Sequence, residues 1–297
     1  SSAASDVYKR QIKHKDHFHG SDLEKIEEIY GIKKEEIVSF SANVNPLGVS
    51  PLLRTTLADK IDAITTYPDR EYTSLRKCIA AYCGTDHENV IVGNGSTELI
   101  SLFIQIEHPK KAMIIGPTYS EYEREISLGG GTTLYYPLRE KDDFRLDVND
   151  FISHLNENID LLVICNPNNP TGTYVNSAKV EEFIRKLPDH VIPVVDEAYF
   201  EYVEDPTHYS LIKMIQEGYD RPLFVLRTFS KIYGMAGLRI GYTFADPLLI
   251  DELMKACQAW NVSYNALAAA QAALKDQEYI KKIKAVSYTH LRAHETL

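Results

Sequence analysis

Short runs of consecutive apolar residues recur along the chain, and the segments between them carry apolar residues at helical spacing. Strands that are buried on both faces of a mainly parallel sheet are continuously apolar and rich in β-branched residues. Their alternation with helical segments predicts an α/β fold. The predicted strands are 90–92, 112–115, 161–165, 191–195 and 223–226. The predicted helices are 73–83, 97–106, 177–187 and 247–259, the last of which opens with the start signal Asp246-Pro247.

The bulk composition narrows the class of protein. A chain of 297 residues, of which 44% are hydrophobic and 25% charged, is typical of a globular protein with two domains or one large domain and an appendage. The net charge of −10 argues against a nucleic-acid partner, because phosphate backbones are bound by clustered Lys and Arg. No apolar run reaches the length of a membrane span, so no membrane partner is predicted.

The cysteines indicate the compartment. There are four of them, and they form no CxxC pair and no Cys/His metal spacing. We therefore expect reduced, mostly buried thiols in a cytoplasmic protein, and no metal site. The four are Cys78, Cys83, Cys165 and Cys257.

Both ends of the chain differ from the sequence beside them. Residues 1–11 (SSAASDVYKRQ) and 286–297 (VSYTHLRAHETL) resemble translated adapter sequence rather than protein that evolved with the rest. We set both segments aside when predicting the fold. The natural part is then expected at about 12–285, stopping short of the natural C-terminus.

Ligands of open α/β sheets bind beyond the carboxyl ends of the strands, so the residues that follow each predicted strand are candidates for chemistry. After 90–92 comes GNGSTELI, in which Gly95, Ser96 and Thr97 open a helix. This segment is either a phosphate cradle or a plain strand–helix turn, and it matches neither GxGxxG nor a P-loop. After 112–115 comes GPTYSEYE, whose Tyr119 either covers a flat ligand or is an ordinary, partly buried tyrosine.

The remaining strand exits are also polar. Asn169 lies in NPNNPTG, a turn-forming segment whose three asparagines turn chemistry alone does not explain. Asp196 ends a strand and opens DEAYFEY, where it either pairs with a cation or caps a helix. Lys231 follows the last strand among small, apolar and glycine residues, where a charged amine is costly unless it is paired or used.

One ligand needs all of these groups together, namely pyridoxal 5'-phosphate. A lysine must form the Schiff base with its aldehyde, and a carboxylate must keep the pyridine nitrogen protonated. Neutral donors at the ring hydroxyl and a cation at the phosphate complete the requirement. The joint order of the strand exits therefore predicts a pyridoxal-phosphate site.

The motifs GNGSTELI, NPNNPTG, DEAYFEY and LRTFSKIYGMAGLRIGY resemble those of the fold type I pyridoxal-phosphate enzymes of aminotransferase class I/II. Within that class the chain is similar to the histidinol-phosphate aminotransferase and threonine-phosphate decarboxylase group, from about His19 to Lys284. The resemblance implies a three-layer α/β/α large domain with a mainly parallel sheet at 46–275, and an incomplete small domain. The latter would take its N-terminal arm from 12–45 and the start of a helix from 276–285.

The resemblance also implies roles for individual residues. Lys231 would be the Schiff-base lysine, Asp196 the partner of the pyridine nitrogen, and Tyr199 a catalytic contact to the ring hydroxyl. Asn43 would lie on the substrate side. The other implied cofactor contacts are Asn169 at the ring hydroxyl, Tyr119 on the ring face, and Gly95, Ser96, Thr97, Ser230 and Arg239 at the phosphate.

A homodimer is implied as well, because Tyr67 in TTYPDREY matches a tyrosine that reaches the cofactor phosphate of the neighbouring subunit. The arginine that grips the substrate carboxylate in the family has no counterpart in this chain. The resemblance favours transamination of an amino acid or amino-phosphate substrate in amino-acid biosynthesis. The segments HG (His19-Gly20) and FSANVNPLG look closer to the threonine-phosphate decarboxylases, and Leu47 stands where histidinol-phosphate enzymes commonly carry tyrosine. Decarboxylation of threonine phosphate therefore stays an alternative, and a non-catalytic ligand-sensing domain is a remote one.

Overall fold

The computed structural model describes residues 22–38, 43–155 and 158–295, with side chains to residue 288. The chain divides into two compact units, Ser1–Val44 and Asn45–Leu297. In the first unit, helix α1 (Leu23–Tyr30) begins at Asp22, whose carboxylate accepts from the Lys25 N–H, and ends at the left-handed Gly31. The predicted tail at 1–11 lies outside the described residues.

A sheet forms the centre of the second unit. Its described strands are β1 (Val90–Gly93), β2 (Lys111–Gly116), β3 (Thr132–Pro137), β4 (Leu161–Cys165), β5 (Ile192–Asp196), β6 (Phe224–Thr228) and β7 (Gly241–Phe244). These seven described strands lie in the order β1-β7-β6-β5-β4-β2-β3. β7 runs antiparallel to both of its neighbours, and the other pairs are parallel. The carboxyl ends of β1 to β6 therefore meet at one edge.

Helices connect the strands. In the second unit they are α2 (Pro51–Asp59), α3 (Thr73–Cys83), α4 (Gly95–Glu107), α5 (Glu121–Leu128), α6 (Val148–His154), α7 (Ser177–Lys186), α8 (Ile212–Gln216), α9 (Pro247–Ala256), α10 (Tyr264–Lys275) and α11 (Gln277–Glu295). Among the described residues, no helix combines the length and the apolarity that crossing a membrane requires.

Successive residues of each strand point to opposite faces of the sheet, and helices pack against both faces. Ile114 and Val163 lie in a core cluster with residues of α4, α5 and α9. Met113 and Leu162 lie in a second cluster with residues of α2, α3, α7 and α10. Burying one such side chain contributes about 1.5–3 kcal/mol. This arrangement confirms the predicted α/β fold with a mainly parallel sheet.

The five predicted strands and four predicted helices are all present; 161–165 and 73–83 have the predicted ends, and the other elements have at least one shifted end. The helix predicted at 177–187 ends at Lys186, because the next residue precedes Pro188 and adopts an extended backbone. The helix predicted at 247–259 was too long, since it ends at Ala256 and Cys257 is extended. Its predicted start is confirmed, because the Asp246 side chain accepts from the Leu248 N–H and Pro247 follows.

Candidate active site

The turn between β1 and α4 packs tightly against the end of the predicted lysine segment. Gly95 has φ +80°, and a Cβ atom there would overlap Nη2 of Arg239. A Cβ atom on Gly241 would likewise overlap the backbone nitrogen of Ser96. Asn94 precedes α4 without capping it through its side chain, and the uncapped N–H groups of a helix start bind phosphate. Two glycines therefore shape this turn into a cradle beside a guanidinium group.

Arg239 supplies the positive charge of the cradle. It follows a 3-10 turn (Ala236–Leu238) and has a left-handed backbone with φ +51°. Its Nη1 donates to the Ala236 carbonyl at 3.1 Å and to the Ser230 hydroxyl at 3.4 Å. The predicted residues Gly95, Ser230 and Arg239 are thus in one place. A helix start and a guanidinium both favour a dianion there.

Asp196 is the buried carboxylate of the site. It ends β5 and is 4% exposed. The Tyr122 hydroxyl donates to its Oδ2 at 2.7 Å, and the Ala198 N–H donates to its Oδ1 at 2.8 Å. Burial raises the pKa of Asp196, and these two hydrogen bonds and the charge of Lys231 oppose that rise. A cationic ligand beside this carboxylate would stabilise its ionised form.

Lys231 follows β6 and is half-buried. Burial lowers the pKa of its amine, and Arg239 lowers it further, whereas Asp196 raises it. Its Nζ lies 5.4 Å from the centre of the Tyr199 ring. The structure therefore brings Lys231, Asp196, Tyr199 and Arg239 together, although they follow different strands. A lysine with a lowered pKa presents the unprotonated amine that attacks a carbonyl carbon.

The asparagines of NPNNPTG have separate roles. Asn166 exchanges two hydrogen bonds with the backbone of Val175. Asn168 donates to the Pro117 carbonyl and accepts from the Thr118 hydroxyl. These contacts fix the turn next to the end of β2. Among the described residues, no hydrogen bond to the Asn169 side chain is formed, so the amide predicted to bind the cofactor is the one that folding does not use.

Two tyrosines border the site. Tyr119 packs edge-on against Tyr122, with ring centres 5.5 Å apart. Burial raises the pKa of Tyr119, and a hydrogen bond with the Thr97 side chain opposes that rise. This contact joins the end of β2 to the cradle. The structure thus places Tyr119 beside Asp196's partner Tyr122, which the sequence analysis did not select. The stacking of Tyr119 on the cofactor ring stays a prediction.

Tyr67 and Asn43 are the two other predicted site residues. Tyr67 is 80% exposed, and its ring centre lies 4.9 Å from that of Trp260. An exposed ring is what a contact to a neighbouring subunit needs, and the role stays a prediction. Asn43 belongs to the first unit, so its substrate-side role also stays a prediction.

A buried ion network lies next to the site, and the sequence analysis did not predict it. Arg227 on β6 donates to Glu197 through Nε at 3.1 Å and Nη2 at 3.0 Å, and to Glu201 through Nη1 at 3.3 Å. All three side chains are at most 6% exposed. Through these ion pairs, the segment that carries Asp196 and Tyr199 is bonded to β6, the strand that precedes Lys231.

The residues present fit pyridoxal phosphate. The cradle accommodates no side chain at Gly95, the buried carboxylate of Asp196 suits a cationic ring nitrogen, and the Lys231 amine has a lowered pKa. A phosphate group, a pyridine nitrogen and an aldehyde each have a chemically matched group on one edge of the sheet.

The chain is similar to known aminotransferases along most of its length. The family model "Aminotransferase class I and II" matches residues 35–296. A histidinol-phosphate aminotransferase of Geobacillus thermodenitrificans (strain NG80-2) is 35% identical over 264 residues, which are 88% of this chain and 70% of that protein. A putative threonine-phosphate decarboxylase of Caldanaerobacter subterraneus subsp. tengcongensis is 38% identical over 244 residues, 82% of this chain and 65% of that protein.

Solved structures of aminotransferases have the same fold as this chain. The histidinol-phosphate aminotransferase of Sinorhizobium meliloti in complex with pyridoxal-5'-phosphate superimposes with a TM-score of 0.75 at 29% identity, covering 82% of this chain and 66% of that one. The shared fold, the matched sequence and the residues at the strand ends lead to one conclusion. This chain belongs to the class I and II aminotransferases.

Proposed function

We propose that this aminotransferase binds pyridoxal 5'-phosphate at the carboxyl edge of its sheet and that the Lys231 amine would condense with the cofactor aldehyde, releasing water. The observation that carries the proposal is the environment of the Lys231 amine, whose pKa is lowered by burial and by Arg239. An amine that loses its proton more readily than a surface lysine is more often present in the unprotonated, nucleophilic form. The carboxylate it faces, Asp196, is the buried anion that a protonated ring nitrogen requires.

Each neighbouring residue has a defined task in the proposal. When bound, pyridoxal phosphate supplies an electron sink for bonds at the substrate α-carbon. Asp196, held by Tyr122 and the Ala198 N–H, keeps the ring nitrogen protonated. Asn169 and Tyr199 contact the ring hydroxyl, and the Tyr119 ring covers the ring face.

The proton and the phosphate are handled by other groups. Ser96, Thr97, Ser230 and Arg239 hold the phosphate, with Gly95 giving it room. Lys231 Nζ, once free of the cofactor, is the base available at the substrate α-carbon.

Reduction with borohydride tests the covalent role of Lys231. The 297-residue chain is loaded with pyridoxal phosphate, reduced and digested, and the pyridoxyl group is located by mass spectrometry. We expect the label on Lys231 and none on the exposed Lys255, and Lys231→Ala should abolish it. A label on another lysine would refute the assignment.

The reaction we propose is transamination of an amino acid or amino-phosphate substrate of the histidinol-phosphate type, in amino-acid biosynthesis in the cytoplasm. The relatives that are histidinol-phosphate aminotransferases support it. A second candidate reaction is decarboxylation of threonine phosphate. It is favoured by the 38% identity between this chain and the putative threonine-phosphate decarboxylase. Release of carbon dioxide from threonine phosphate without a keto acid would decide for decarboxylation, and glutamate-dependent amination of an imidazole or aromatic keto substrate would decide for transamination.

The working unit we propose is a homodimer in which Tyr67 reaches the partner's cofactor phosphate. The exposed ring of Tyr67 beside Trp260 supports this. Sedimentation of the chain should give a dimer, and Tyr67→Phe should weaken pyridoxal-phosphate binding only where a dimer forms. A monomer that binds the cofactor normally would contradict the proposal.

A further inference from the structure

Glu98, in the first turn of α4, places a carboxylate beside the proposed phosphate cradle. Its Oε2 accepts from the Asn94 N–H at 2.6 Å. Asn94 is the N-cap residue of α4, and its own side chain makes no capping hydrogen bond. Glu98 thus fixes the backbone of the turn immediately before Gly95, where φ is +80°. A negative charge near a phosphate is unfavourable by itself, so its presence calls for a role in shaping the cradle.

Asn261 holds Glu98 in this position. Its Nδ2 donates to the same Oε2 of Glu98 at 2.6 Å and contacts the Cys257 sulfur at 3.2 Å. Its Oδ1 accepts from the Tyr72 hydroxyl at 2.8 Å. That hydroxyl in turn accepts from the Val262 N–H at 3.1 Å. Both ends of the Asn261 amide are therefore committed, which fixes its orientation.

We infer that Asn261 is a positioning residue for the cofactor phosphate, acting through Glu98 on the turn that opens α4. The Asn94–Glu98–Asn261–Tyr72 chain connects this turn to the segments that precede α3 and α10. With Oε2 shared by two donors, the turn keeps the backbone conformation in which Gly95 clears Arg239. The inference rests on the proposed function, since it concerns the phosphate end of the proposed cofactor site.

The inference is tested by comparing two ligands that differ only in the phosphate. Pyridoxal phosphate and pyridoxal both offer the aldehyde and the ring, but only the former uses the cradle. Dissociation constants of both are measured by absorbance titration of the 297-residue chain and its variants. We expect Asn261→Ala and Glu98→Ala each to weaken pyridoxal-phosphate binding about tenfold, because a hydrogen bond to a charged group is lost. Pyridoxal binding should stay within about twofold.

Two further variants separate positioning from other effects. Glu98→Gln keeps an oxygen that accepts both hydrogen bonds, so it should bind pyridoxal phosphate within about twofold of the unmodified chain. Asn89→Ala is the matched control, because its Nδ2 donates to the Ala245 carbonyl at 2.8 Å, at the far end of β1. It should lower the unfolding midpoint without changing the ratio of the two dissociation constants.

Several results would overturn the inference. An unchanged ratio in Asn261→Ala or Glu98→Ala, or equal weakening of both ligands, would reduce the network to general structural support. Tighter pyridoxal-phosphate binding in Glu98→Ala, or equal losses in the Gln and Ala variants, would show that only the charge of Glu98 acts. If the unmodified chain failed to distinguish the two ligands, the proposed cofactor site would fall together with the inference. If the unmodified chain distinguishes the two ligands and the alanine variants do so to the same extent, the inference alone fails.

Discussion

Replacing Tyr122 by phenylalanine tests how the buried carboxylate of the site is maintained. The Tyr122 hydroxyl is 2.7 Å from Oδ2 of Asp196, and both side chains are at most 4% exposed. The variant leaves the carboxylate without a charge-assisted hydrogen bond that water cannot replace. Such a bond is worth about 1.5–3 kcal/mol, and because it favours the ionised carboxylate, its loss raises the pKa of Asp196 further.

The sign of the pH dependence follows from the direction of the shift. Burial raises the pKa of Asp196 above its ordinary value of 3.8, so the folded chain binds this proton more tightly than the unfolded chain does. The associated stability is present below pH 3.8 and is lost as the pH rises through the folded-state pKa. In Tyr122→Phe the folded-state pKa is higher still, so the additional loss of stability begins as the pH rises through the folded-state pKa of the unmodified chain and is complete above that of the variant.

The assay is urea unfolding of the cofactor-free chain between pH 4 and 8. We expect Tyr122→Phe to cost about 1.5–3 kcal/mol at pH 7 and clearly less at pH 4. In an Asp196→Asn background the same change should cost about 0.5–1.5 kcal/mol at every pH, because the lost bond is then neutral. Tyr136→Phe is the control, since that hydroxyl donates to Asp150, whose side chain is 53% exposed. An equal cost at pH 4 and pH 7 would refute the reasoning.

Three further changes have expected outcomes. Gly95→Ala should weaken pyridoxal-phosphate binding at least tenfold in an absorbance titration, because its Cβ displaces the Arg239 guanidinium; unchanged affinity would contradict the cradle. Arg227→Met should lower the free energy of unfolding in urea by about 3–5 kcal/mol, since two buried carboxylates lose their cation. Its control, Arg185→Met, removes a guanidinium that is 47% exposed and should cost below about 1 kcal/mol. Asp196→Ala should reduce turnover far more than cofactor affinity in any version of the chain that is active, and near-normal turnover would exclude the proposed role.

The sequence predicted those parts of the sheet whose residues are buried on both faces. β4 (Leu161–Cys165) is buried at every position and was predicted with both ends correct. β3 (Thr132–Pro137) was missed, because it is an edge strand on which most residues are at least partly exposed, so it lacks a continuous apolar run. β7 (Gly241–Phe244) was missed because it is short and carries a buried threonine, Thr243.

Candidate site residues could be selected from the sequence where one residue type is chemically required. A lysine among small and apolar residues and a glycine-rich helix start carry their own signal, so Lys231 and Gly95 could be selected from the residues that surround them. Tyr122 carries no such signal, because its partner Asp196 is 74 positions away along the chain and the sequence of α5 does not show which face is buried against β5. The same holds for Asn261, whose partner Glu98 is 163 positions away.

The two adjacent carboxylates of DEAYFEY show why tertiary contacts decide chemical roles. Asp196 and Glu197 are both almost fully buried, and the sequence alone does not distinguish their partners. Glu197 accepts two hydrogen bonds from Arg227, so its charge is neutralised within the protein. Asp196 accepts from a neutral hydroxyl and a backbone N–H, so its negative charge is left for a cationic group such as a protonated pyridine. The buried carboxylate that we propose as the partner of the cofactor nitrogen is therefore the one that the fold leaves without an arginine.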